Sequence, residues 1–545
     1  MSLFKEGNVM SYRISPLAAA VATAVMVSAT AGAGEFKTIE QPIEGQYIVV
    51  LKETAARLAH EQGSAVEVAA VARQLVSQHQ LDLIHTYGHA LRGFAVRADD
   101  KALAQLLVDP RVEYIEEDGL ARMSATQNNA TWGLDRIDQR NLPLNSTYVD
   151  DRTGSGVHAY VIDSGLRTTH NEFSGRVGNG FSAINDGRGV VDCNGHGTHV
   201  SGTIGGTTWG VAKSALIHPV RVFGCTGGSP WSTIIAGIDW VRANHVKPAV
   251  ANMSLGGGGN SSADTATNNL INAGVTVVVA AGNDNSNACN FSPARVRNAI
   301  TVGATQSNDA RSSFSNFGTC VDIFAPGSDI RSAWWTSNTA NALLSGTSMA
   351  SPHVAGVAAL YLQGRATATP ANVIREVIGK SSINRVGNRG AGSPNHLLFS
   401  RLATTSRGAW FRYNNPGVGD HFYTMNWNEL NGGGSGGWSY EGVPGYMNFS
   451  SATGTRAMHR YNNPGMSNHF YTVNFNTLGN GGNGWTYEGI SGYVPTSASS
   501  STTNLYRYFH AGAGDHFYTT SFGELGNGGN GWVFEGVESQ IWTQP

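Results

Sequence analysis

The chain has 545 residues, a length that suggests three or four domains. Only 14% are charged and the net charge is −2, so nothing in the composition suggests a nucleic-acid or anionic-membrane partner. Glycine is abundant, 69 of 545, with much of the excess in the last third.

Arg13 precedes an apolar run from Leu17 to Ala29, followed by small residues to Ala33. A basic flank, a short apolar core and a small-residue site predict a secretory signal peptide over residues 1–33, cleaved after Ala31 or Ala33. Met10 is an alternative start. The run is too short to span a bilayer and no later segment is longer, so no membrane span is expected. Export favours disulfides among Cys193, Cys225, Cys289 and Cys320. Three pairings are possible, and spacing alone does not choose among them.

Residues 34–124 read as a small α+β module. Strands at Gln46–Leu51, Asp82–Tyr87, Leu91–Ala98 and Val112–Ile115 and helices at Val66–His79 and Lys101–Val108 give β-α-β-β-α-β, a ferredoxin-like order. Glu116–Ala125 carries no core signal and reads as an extended linker.

Over residues 125–402, wholly apolar strands alternate with helical segments, at His158–Ile162, Ile217–Val222, Val250–Ser254, Val275–Ala280 and Ala299–Val302. This predicts an α/β domain with a parallel sheet covered on both faces. Function then gathers beyond the C-terminal strand ends. Asp163 ends one strand, Asn283 follows another, and Ser254-Leu255-Gly256-Gly257 follows a third. His196 sits between two glycines at the start of a small-residue helix, with His199 one turn on as a structural residue. Ser348 opens an alanine-rich helix, with Pro352 in its first turn. A serine there has free N–H groups and the positive end of the helix dipole beside it.

From about residue 403 the chain repeats itself. Asp420-His421-Phe422-Tyr423-Thr424 recurs from Asn468 and from Asp515, and Trp438, Trp485 and Trp532 keep one spacing. Three copies predict an all-β domain of three-fold, trefoil-like form over residues 403–545, with aromatic residues as its core or as a glycan platform. The Asp-His pair is a poor metal site, since the second copy has Asn468. Gly433–Gly437 fits G-x-S-x-G but lacks the strand–turn–helix context of an esterase.

Four motifs in order, Tyr160–Gly165, Asn194–Thr203, Ala280–Asn283 and Gly346–His353, resemble the subtilase family, and within it the proteinase K and aqualysin branch. The resemblance implies a secreted serine endopeptidase of broad, apolar-favouring specificity, made as a zymogen, with Ser348 as nucleophile, His196 as base, Asp163 as its orienting acid and Asn283 as oxyanion donor. It implies a specificity pocket walled by Ser254–Gly257 and by Ala280, Ala281 and Gly282. It also implies a substrate-pairing edge at Gly227, Gly228, Ser229 and Pro230, with Trp231 near a distal subsite. The implied disulfides are Cys193–Cys225 and Cys289–Cys320. Structural calcium is implied at Asp322 with the Arg297 and Ala299 carbonyls, and at Asp135, Asp138, Gln139 and Asn145. No catalytic cofactor is implied. Residues 34–124 resemble an inhibitory propeptide whose tail occupies the cleft until cleavage near Ser124–Ala125. The expected partners are polypeptides, the propeptide itself and a possible glycan or cell-surface ligand of the repeats, with the chain a monomer. The rival reading is a binding protein on a catalytically idle scaffold.

Overall fold

The computed structural model describes residues 34–37, 39, 42–53, 65–119, 125–402, 406–452 and 454–545. The expected signal peptide and the segment around Ser124 lie outside them. The chain divides into two units, Met1–Arg122 with Ser451–Thr455, and Met123–Ser450 with Arg456–Pro545.

The first unit is a five-stranded sheet ordered Glu35–Lys37, Val112–Gly119, Pro42–Leu51, Gly93–Arg97, Asp82–Tyr87. Helices Ala65–His79 and Asp100–Leu107 pack with it, the latter capped by the Asp99 carboxylate on Ala102 N–H. Without its first short strand this is the ferredoxin-like order. The last strand runs on to Gly119, where a linker was expected. Glu116 and Glu117 pair with Ile48 and Tyr47. Asp118 accepts from Gln46 Nε2 at 2.6 Å and Glu117 from Ile39 N–H at 3.0 Å, so the charges are partners of the sheet edge.

The second unit begins with a nine-stranded sheet. Seven strands run parallel, in the order Ile323–Pro326, Ile300–Thr305, Thr276–Ala280, Ala249–Met253, His158–Asp163, Leu216–Arg221, Phe181–Ser182. Two short strands extend the Ile323 edge, His396–Leu397 as an eighth parallel strand and Ser382–Ile383 antiparallel beyond it. Alternation sends Val161, Val250 and Val278 to one core with helices His196–Gly205 and Thr347–Leu362. Tyr160, Ala251 and Val279 face a second core with helices Trp231–Asn244 and Ser261–Asn272. Both faces are therefore covered, which is why the strands are apolar throughout. Helix Thr347–Leu362 is almost wholly buried. Pro352 lies in its second turn, not the first as expected. Its missing N–H leaves the Ser348 carbonyl without its helical donor, and the Ser254 hydroxyl donates to that carbonyl instead, at 2.8 Å.

The C-terminal region is all-β. Each copy contributes a hairpin and a long return strand, such as Arg407–Asn415, Asp420–Thr424 and Ser439–Asn448. At its centre, the Tyr471 hydroxyl accepts from Tyr423 N–H and donates to Tyr423 C=O. Tyr518 does the same for Tyr471, and Tyr423 for Tyr518. The ring closes after three steps. Trp410 packs over these tyrosines, so much of the aromatic content is core rather than an exposed platform. Phe411, Tyr413 and Trp427 join the apolar core that contains helix Thr347–Leu362.

Candidate active site

Asp163, Ser254 and Asn283 stand at or just beyond the C-terminal ends of three adjacent strands. Asp163 is buried, its side chain 2% exposed. Its Oδ1 accepts from Ser164 N–H at 2.7 Å and meets His196 Nδ1 at 2.8 Å. That contact fixes the imidazole with Nδ1–H toward the acid and Nε2 free to act. The His196 side chain is 31% exposed. Burial pulls the imidazole pKa down, but Asp163, by charge and hydrogen bond, and Asp192 more than offset this, and it ends above the usual histidine value of about 6.5.

The flanking glycines are a steric requirement. Gly195 has φ +106°, and a Cβ there would lie 2.4 Å from atoms of Trp334 and Trp335. A Cβ on Gly197 would lie 2.3 Å from Gly165 O. The helix can start against the end of the Asp163 strand only if it carries no side chain at those positions. Gly195 offers no cap, and Asp192 supplies one. Its Oδ1 accepts from Asn194 and Gly195 N–H and from Ser164 Oγ, and its Oδ2 from Thr198 N–H and Oγ1. The sequence reading missed Asp192, although an acid just ahead of a helix that lacks a capping side chain is a readable signal.

Ser348 is the second residue of its helix, half-buried, and its hydroxyl donates to Ser254 C=O at 3.2 Å. The helices beginning at His196 and Thr347 pack against each other. Asn283 Oδ1 accepts from Thr347 N–H at 2.8 Å and Thr347 Oγ1 at 2.9 Å. Its Nδ2 is thereby turned outward. That nitrogen and Ser348 N both lie 3.6 Å from the point where a Gly346 Cβ would sit, with Met349 Sδ at 3.7 Å, so two N–H donors flank one spot beside the nucleophile. Thr347 and the fully buried Asn316 were also missed. Asn316 donates to Ala281 C=O and accepts from Asp284 and Ser286 N–H, holding the Asn283 turn.

Leu255, Gly256, Gly257, Ala280, Ala281 and Gly282 line a 270 Å³ cavity that Asn283, Thr347 and Ser348 also border. Among the described residues its charged lining is Asp284, which is exposed. Gly227 and Gly228 lie on an exposed turn. Ser229 Oγ donates to Val222 C=O, Pro230 precedes helix Trp231–Asn244, and the Trp231 indole faces Gly257. Disulfide Cys193–Cys225 ties this turn to the loop before His196, and Cys289–Cys320 closes a second loop. His199 is buried and bonds Ile330 C=O, outside the site, with its pKa pushed down by burial to about 4.

The two expected calcium sites differ. At Asp135, both oxygens accept loop N–H groups, from Asn145 and Ser146. Asp138 Oδ2 accepts from Val149 N–H, but Oδ1 is buried without a partner among the described residues. Burial first, and Asp135 as well, push Asp138 up to about 6. Asn145 Oδ1 accepts from Thr147, and Gln139 Nε2 donates to Asn141 and Pro143 carbonyls. An orphaned carboxylate oxygen beside a second carboxylate fits a hard divalent cation. Asp322 does not fit one. Its Oδ2 accepts from Thr301 N–H and its Oδ1 from Trp427 Nε1, each at 2.8 Å. Burial pushes the carboxyl up to about 6, outweighing the Arg297 guanidinium that bears on it electrostatically.

The subtilase family matches residues 154–402, the peptidase inhibitor I9 family residues 46–124, and a domain of unknown function, DUF5648, residues 404–542. An extracellular serine proteinase of Thermus sp. (strain Rt41A) is 55% identical over 372 residues, 66% of this chain and 90% of its own. Alkaline serine exoprotease A of Vibrio alginolyticus is 46% identical over 368 residues, 66% of this chain and 68% of its own. A crystal structure of a cold-adapted subtilisin-like serine proteinase is 52% identical, covers 50% of this chain and 99% of its own, and has a TM-score of 0.49. The chain belongs to the subtilase family of serine endopeptidases and carries an I9 inhibitor domain ahead of its peptidase domain.

Proposed function

We propose that Ser348, His196 and Asp163 carry peptide-bond hydrolysis in this subtilase, with Asn283 Nδ2 and Ser348 N–H as the oxyanion hole. Ser348 Oγ exchanges its bond to Ser254 for one to His196 Nε2 and attacks the scissile carbonyl as its proton passes to that nitrogen. The charge that develops on the carbonyl oxygen lies between the two donors above Gly346. His196 then protonates the departing amine, leaving an acyl-Ser348, and activates the water that releases it. Asp163 stays ionised throughout and stabilises the imidazolium. The observation that carries this reading is that Asn283 Nδ2 and Ser348 N flank one spot, each 3.6 Å from the Gly346 Cβ position. Donors fixed in advance stabilise an oxyanion without reorganisation.

The cavity supports an apolar specificity. A dry site of about 150 Å³ already takes up benzene, so 270 Å³ has room for a large apolar or aromatic side chain. The substrate chain would pair along Gly227–Pro230 on one side and Ser254–Gly257 on the other. Structural calcium is proposed at Asp135 and Asp138 alone, where it would neutralise the orphaned oxygen. Residues 1–33 would direct export, 34–124 would be removed by self-cleavage, and 125–402 would be the catalytic domain. An extracellular relative, the apolar N-terminal run and two disulfides support export.

The test is Ser348→Ala. The variant should accumulate unprocessed and leave casein intact; processing and cleavage at wild-type rates would refute the assignment.

A further inference from the structure

Asp322 lies where the family resemblance implies a cation ligand, yet its surroundings are those of a docked protein surface. It is 7% exposed. One carboxylate oxygen is held from its own domain, by Thr301 N–H. The other is held by the indole N–H of Trp427, which comes from the first C-terminal copy and is itself fully buried. The chain after Trp427 closes over the same spot. A Cβ on Gly432 would sit 2.8 Å from Asp322 Oδ1 and 3.0 Å from Trp427 Nε1, and one on Gly433 would sit 2.6 Å from Thr319 O. Only glycine allows that approach. Arg297 reaches across the same junction, donating to Thr319 C=O at 2.5 Å and to Asn431 C=O at 3.2 Å. Beside it, His396 of the catalytic domain meets Tyr440 Oη at 2.8 Å and packs edge-on against Trp427, ring centres 5.2 Å apart.

We propose that the first C-terminal copy replaces a cation at Asp322: Trp427 Nε1–H is the fixed partner of the buried carboxylate, and this contact holds the C-terminal region on the catalytic domain in the working enzyme. Calcium needs six to eight oxygens at about 2.3–2.6 Å. Here an indole N–H occupies Oδ1, a backbone N–H occupies Oδ2, and the glycine loop closes over the indole side of the carboxylate. The arrangement also gives the repeats a role that requires no ligand. Shedding them would strip a donor from a buried carboxylate, the costliest kind of hydrogen bond to leave unmade. The retained state is therefore the stable one.

The experiment uses the processed full-length enzyme, wild type and Trp427→Phe, with Asp322→Asn as a second variant. Trp427→Phe keeps the ring and removes only the N–H. It should leave kcat/KM on a soluble peptide unchanged and shorten the half-life of thermal inactivation about tenfold, by the same factor with calcium and with chelator. Asp322→Asn should not change the number of calcium ions bound per chain in equilibrium dialysis. If Asp322→Asn fails to accumulate, terbium substitutes as the probe. A terbium ion at Asp322 would draw excitation from the adjacent indole, so sensitised emission should be the same in wild type and Trp427→Phe. Loss of one bound calcium in Asp322→Asn, loss of terbium emission in Trp427→Phe, or wild-type inactivation of Trp427→Phe would each overturn the proposal.

Discussion

The same pair of side chains is used twice in this molecule, to opposite ends. In the catalytic domain, Asp163 and His196 meet at 2.8 Å. In the repeats, Asp420 meets His469 and Asp515 meets His421, both at 2.6 Å. Each repeat acid also accepts the backbone N–H of the same histidine, so every pair is a latch between one copy and the next. The repeat histidines sit edge-on to Phe422 and Phe517, with Glu488 and Glu441 at 3.9 and 3.7 Å on the other ring nitrogen. His196 instead turns its second nitrogen to a cleft. The third latch has Asn468, whose amide donates to His516 Nδ1, and burial pushes that histidine down to about 3. A neutral amide suffices there because the latch only has to hold. On the mechanism proposed above, a charge must form at His196 and be stabilised, and a carboxylate is required there.

The contrast should break most sharply on exchanging acid for amide. Asp163→Asn should fold and lose about 10⁴ in kcat, because the imidazole then takes the wrong tautomer. The same variant tests the pH profile. A raised His196 pKa means the neutral base is lost sooner on acidification, so the acid limb of wild-type kcat/KM should have its midpoint above 6.5. In Asp163→Asn the residual rate should show that limb moved to lower pH. Asn283→Ala should cost about 10²–10³ in kcat with KM little changed, the usual loss for one oxyanion donor, measured by steady-state kinetics. Calcium at a hundred times its Kd should stabilise the wild type by about 2.7 kcal/mol in thermal unfolding with and without chelator. Asp138→Asn should lose that response, and a full response would place the ion elsewhere. Asp515→Asn, the exchange already present at Asn468, should cost about 1–2 kcal/mol of stability and leave kcat unchanged. If it impaired catalysis as Asp163→Asn does, the two kinds of pair would not be distinct in function.

Much of the candidate site was legible because its chemistry lies in short local motifs. Asp163 ends an apolar strand, His196 lies between glycines, and Asn283 and Ser348 each follow a turn after a strand or open a helix. What escaped were residues whose role is to hold others. Asp192 and Asn316 are ordinary polar letters in the sequence and become hubs only when several N–H groups fold around them. The strand Ile323–Pro326 was missed because four residues carry little periodicity, and Gly119 because three consecutive acids resemble solvated linker. Pro352 was read by its distance from the helix start, and a one-turn error hid its effect on the Ser348 carbonyl.

The family, the two-sided parallel sheet and the three-fold repetition are all legible in the chain before it folds. These depend on hydrophobic period and on motifs a few residues long, which need no partner to be read. What each buried charge does emerges only on folding. Asp138 keeps an unpartnered oxygen, whereas Asp322 is closed by an indole more than a hundred residues away in the chain. A buried carboxylate is defined by the donors that reach it, and those donors come together only when distant segments fold against one another.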